Sequence, residues 1–151
     1  MLGTACAAIC FSSADMPLQV LDLNRRQRYV AEMSTVMELA EYFPGGGTDF
    51  QKPLSAALAC LQQARYRRGD IVFITNGECR IDPQWLAEFK RAKERLGFSL
   101  LSVLIDVGSS SLGALKDFSD KITTITQLTN EAGKDIFLKL TWAALASHEL
   151  P

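Results

Sequence analysis

An α/β fold with an open sheet and right-handed crossovers is what this sequence predicts, on three observations. From residue 70 onward, apolar strand-like runs alternate with helical patterns. The run DIVFIT, 70–75, is almost continuously apolar and β-branched, as expected of a strand covered on both faces of a parallel sheet. The length of 151 residues is that of one domain, large enough to bury a real core. Residues 1–146 are accordingly read as a single domain and 147–151 as a C-terminal tail.

The elements follow in order. AAICFSS, 7–13, and LQVLDL, 18–23, are strand-like runs separated by the turn residues ADMP, which predicts an antiparallel hairpin. In RRQRYVAEMSTVMELAEYF, Val30, Met33, Val36, Met37 and Tyr42 fall near helical spacing until Pro44 and the glycines stop the pattern. A second helix is expected from about Phe50 to Arg67, with Leu54, Leu58, Leu61 and Ala64 on one face and Gly69 and Asp70 at its end. DIVFIT is expected to be the most buried strand of the chain. A helix from Gln84 to Leu96 follows, carrying KRAKER on its outer face, and then a strand, FSLLSVLI, 98–105. A short helix at 112–118, an edge strand at 122–128 and an amphipathic helix at 130–146 complete the chain.

Sixteen basic against seventeen acidic residues give no global footprint for nucleic acid or an anionic membrane. The local clusters RRQR, 25–28, and RYRR, 65–68, adjoin apolar helical patterns and read as solvated faces or helix ends. Cys6, Cys10, Cys60 and Cys79 lack zinc-type spacing, and the only histidine, His148, lies in the tail, which points to a reducing cytoplasm. The start, MLGTACAAICF, has no basic n-region and is too short to span a bilayer, although a lipoprotein-type signal ending at Cys6 is an alternative reading.

In open α/β sheets, ligands collect beyond the carboxyl ends of the strands. Three oxygen-rich loops are expected there: FSS at 11–13, GGGTD at 45–49 and TNGE at 75–78. Such oxygens suit a hard cation such as magnesium, but Thr48 and Asn76 are neutral, and Asp49 and Glu78 are the only carboxylates. The plainer reading makes Asp49 a helix cap, Glu78 a solvent-facing carboxylate, and Ser12 and Ser13 strand-end polar residues.

PGGGTDFQKPL followed by DIVFITNGE resembles the second and third loops of a von Willebrand factor A (VWA) domain. More narrowly, it is similar to the bacterial cytoplasmic branch, CoxE-like and associated with MoxR-type AAA+ ATPases. The resemblance implies a Rossmann-like open sheet flanked by helices, and a non-enzymatic module that binds protein partners at a metal-ion-dependent adhesion site. Thr48 matches the family's threonine, and Asn76 stands where the family has the aspartate of Thr-Asp-Gly. The Asp-x-Ser-x-Ser loop has no counterpart, so the usual first central strand and most of its helix are expected to be absent. Its loss implies a gap on the order of 10 Å between strands and a route to self-association through the unpaired sheet centre. The implied partner face comprises Gly46, Gly47, Thr48, Asp49, Asn76 and Glu78. The implied metal ligands, Thr48 and Asn76, form a degenerate magnesium site. The implied partner is a MoxR-type AAA+ ATPase, acting in assembly or activation of another complex.

Two alternatives stay open. One is a phosphate-handling or hydrolytic enzyme using GGGT, although GGGTDFQK does not fit the P-loop pattern and Cys79 or Ser12 would need a base, for which His148 is remote. The other is a truncated fragment without independent function.

Overall fold

The structure, a computed structural model, describes residues 5–22, 37, 47–76, 79–105 and 112–125. They fall into two compact units, one formed from Met1–Gly69 and Cys79–Ala92, the other from Asp70–Glu78 and Lys93–Pro151. The α/β class holds, with one antiparallel hairpin and one three-stranded parallel sheet. The helix expected at 130–146 lies outside the described residues, as does the one expected near 25–43 apart from Met37, which is helical and about half exposed.

In the first unit, β1 (Ala7–Cys10) pairs antiparallel with β2 (Gln19–Asp22), Ala7 opposite Asp22 and Cys10 opposite Gln19. The expected hairpin is therefore present, with Met16 N–H donating to Ser13 O inside its turn. Helix α1 (Gln51–Leu61) follows, burying Pro53, Leu54 and Leu61. It ends earlier than the expected Arg67. Gln63 adopts an extended conformation (φ −75°, ψ 141°), and a 3-10 turn, Ala64–Tyr66, rotates Tyr66 inward while Ala64 stays exposed. Gly69 N–H closes the turn on Tyr66 O at 2.8 Å, and a Cβ at Gly69 would sit 3.1 Å from that oxygen, so the close approach favours glycine. Arg65 lies over the Tyr66 ring at 4.5 Å and reaches Asp22 at 2.6 Å, a largely exposed ion pair that adds little stability.

Helix α2 (Pro83–Leu96) begins in this unit, with Asp82 accepting from Trp85 N–H at 2.8 Å as its cap. Trp85 stacks on the buried Phe89 and donates to Ser55 Oγ at 3.0 Å, tying α2 to α1. Lys90, Arg91, Glu94 and Arg95 are exposed as expected of KRAKER. Lys93 departs from that face. It turns toward Asp120 at 2.6 Å and Phe118 O at 3.2 Å. Gly97, at φ +68°, supplies the left-handed residue that ends α2, its N–H bonded to Lys93 O.

The second unit carries the parallel sheet, in the order β3 (Ile71–Thr75), β4 (Leu100–Ile105), β5 (Lys121–Ile125). The short helix α3 (Leu112–Lys116) connects β4 to β5, whose one neighbour among the described strands is β4. Aspartates staple the starting edge of the sheet. Asp70, just before β3, accepts from Ser99 N–H at 2.7 Å; Asp120, just before β5, accepts from Leu100 N–H at 2.7 Å. These charged acceptors satisfy amides that have no earlier ladder partner.

The expectation that DIVFIT is covered on both faces, and is the most buried strand, is corrected. β3 alternates, with Val72 and Ile74 about half exposed at 46% and 50%. Among the described strands its one neighbour is β4, so the interior position belongs to β4, where Leu100, Ser102 and Leu104 are at most 1% exposed. Ser102 tolerates that burial because its hydroxyl pairs with Ser119 Oγ at 2.7 Å. Phe73 meets Phe118 edge to face at 6.0 Å on the covered side of β3.

Candidate functional site

The glycine-threonine-aspartate loop is built against the end of β1. Asp49 N–H donates to Ser12 O at 2.9 Å, and Ser12 Oγ donates to Gly47 O at 3.4 Å. Strand-end polarity at Ser12 is thus structural, as the plainer reading expected. A Cβ on Gly47 would meet Ser13 Cβ at 3.9 Å, ordinary contact distance, so space alone does not demand glycine there.

Asp49 spends its carboxylate on the helix. Oδ1 accepts from Gln51 N–H at 3.3 Å and Oδ2 from Lys52 N–H at 3.0 Å, covering two amides of the first turn of α1. Phe50, the boundary residue, has no exposed surface and anchors the loop to the core. The loop is consequently held at both ends, by Ser12 before Asp49 and by Phe50 after it. Thr48 sits between them, half-buried, and its side chain makes no hydrogen bond among the described residues.

Asn76 follows the last residue of β3 and is exposed, at the carboxyl end of a parallel strand as expected. It belongs to the second unit, whereas Gly47, Thr48 and Asp49 belong to the first. Gly46 and Glu78 lie outside the described residues. Among the described residues, the first unit offers Thr48 and Asp49 as oxygen donors and the second offers Asn76. Thr48 and Asn76 are neutral, Asp49 is committed to backbone amides, and no group of three or more acidic, histidine or cysteine side chains suited to a metal occurs among the described residues.

Cys79 is half-buried in the first unit. Burial pushes its thiol above the ordinary range, a hydrogen bond from the Phe50 backbone only partly opposing this, and Sγ donates to Arg80 O at 3.3 Å. His148, its suggested base, lies outside the described residues.

Sequence reasoning passed over Lys52. Its Nζ donates to Ala14 O at 3.1 Å and to Met16 O, two carbonyls of the hairpin turn. A lysine beside a proline on an amphipathic helix gives no local sign of so distant a partner.

No family model matches the chain, and no solved structure does. No helix among the described residues is long and apolar enough to cross a membrane. The chain is 36% identical to the uncharacterized protein MJ0077 of Methanocaldococcus jannaschii, across 80% of this chain and 34% of that protein. It is 27% identical to the uncharacterized protein MJ0811 of the same organism, across 70% of this chain and 24% of that protein. The chain therefore spans about a third or less of the length of these curated relatives.

Proposed function

We propose that this chain is a non-enzymatic protein-interaction module of the VWA type, with a Rossmann-like sheet and a degenerate metal-ion-dependent adhesion site. The observation that carries the reading is the loop at 47–49, in which Thr48 has an uncommitted hydroxyl between two fixed neighbours while Asp49 is consumed by the helix. That arrangement supports recognition by shape and hydrogen bonding and gives little support to a tightly held magnesium ion. The proposed partner is a MoxR-type AAA+ ATPase in the cytoplasm, a step that rests on family analogy. The residues proposed to meet a partner are Gly46, Gly47, Thr48 and Asp49 of the first unit, and Asn76 and Glu78 of the second. The half-exposed Val72 and Ile74 support a second mode of association, in which β3, whose one neighbour among the described strands is β4, pairs with another copy.

Calorimetric titration with magnesium and manganese tests the degenerate site. The wild type is expected to show no saturable binding below roughly millimolar metal, and Asn76→Asp to bind more tightly because it restores a carboxylate. Tight binding by the wild type would refute the degeneracy. Nucleotide turnover by the purified chain would instead favour the phosphate-handling alternative.

A further inference from the structure

We infer that Lys52 is a positioning residue that makes the hairpin turn and the 47–49 loop one preorganised scaffold. The inference takes its functional meaning from the reading of Thr48 as part of a binding face; the coupling itself stands on the geometry of the chain.

Four links close a ring. Asp49 N–H bonds Ser12 O at 2.9 Å, joining the loop to the end of β1. Met16 N–H bonds Ser13 O at 3.1 Å, folding the turn that follows. The Lys52 ammonium bonds Ala14 O and Met16 O of that turn. Lys52's own N–H bonds Asp49 Oδ2, returning to the loop. One side chain therefore bridges positions 36 and 38 residues apart in sequence. An ammonium has three donors and no acceptor, so placing two on carbonyls satisfies backbone oxygens that a tight turn otherwise leaves to water.

Charge at the tip agrees with this geometry. Asp15 is exposed, and its carboxyl is held below the ordinary range chiefly by a hydrogen bond from the Ser13 side chain, with the Lys52 charge a smaller contribution. The turn thus presents a carboxylate to solvent while its carbonyls are occupied by Lys52. A protein docking at Thr48 meets a surface whose backbone is already fixed, which lowers the ordering cost of association.

Hydrogen exchange on the purified chain tests the coupling without any partner, so its failure is separable from failure of the Thr48 reading. In Lys52→Met, the amides of Met16 and Asp49 are expected to exchange together, about tenfold faster than in the wild type, as charge-assisted bonds are lost. Amides of β4 keep their wild-type rates. Lys52→Arg, which can still donate to both carbonyls, is expected to regain protection at both positions. Faster exchange at Met16 with Asp49 unchanged would overturn the coupling. Should Lys52→Met loosen all of α1, the arginine variant decides: renewed protection at Met16 and Asp49 supports the ring, and its absence refutes it.

Discussion

Asp49→Ala is expected to destabilise the hairpin and α1 by about 1–2 kcal/mol, with the loss visible as a lower urea midpoint at unchanged slope. Among the described residues the Asp49 carboxylate covers the first-turn amides of Gln51 and Lys52, and alanine leaves both to water. Asp49→Asn keeps one acceptor oxygen and is expected to recover most of the loss. A metal-ligand role would give a different pattern. Stability would then fall on adding a chelator to the wild type, and asparagine would behave like alanine. Equal stability of Asp49→Ala and wild type would remove the cap from the account.

Ile74→Lys is expected to weaken self-association at least about tenfold in sedimentation velocity, with the secondary structure intact. Ile71 N–H points to Ser99 O, so the ladder alternation directs the backbone groups of Val72 and Ile74 away from β4. Their side chains are about half exposed on a strand without charge or proline, the composition that lets one edge template another. A lysine there costs the core little and places a charge where a second strand would lie. A wild type that is monomeric at every concentration, or a variant that associates as strongly, would contradict pairing through β3.

Much of this architecture was legible in the residues. The hairpin was given away by two short apolar runs around ADMP. Asp49 was legible as a cap because a short acidic side chain before an apolar-periodic run has a local use for its oxygens. Burial of β3 was misjudged for a physical reason. An apolar β-branched run has the same local appearance whether one face or both are covered, and face coverage is set by elements far away in sequence. The end of α1 was misplaced because Ala64 continues the helical spacing, while burial of Tyr66 requires the chain to break at Gln63. Lys52 was missed because its contacts cross from helix to hairpin. Nothing within several residues of a lysine encodes where its ammonium will land.

Thr48 is the centre of the proposed function, since its hydroxyl makes no hydrogen bond among the described residues. Purified MoxR-type AAA+ ATPase from the same genome, titrated onto immobilised wild type and Thr48→Ala with and without chelator, measures this most directly. The account predicts saturable binding by the wild type that persists in chelator and is weakened about tenfold by Thr48→Ala, the order expected when a hydrogen-bonding group is lost from a docked face. Binding that vanishes in chelator, or that is unchanged by Thr48→Ala, would contradict it.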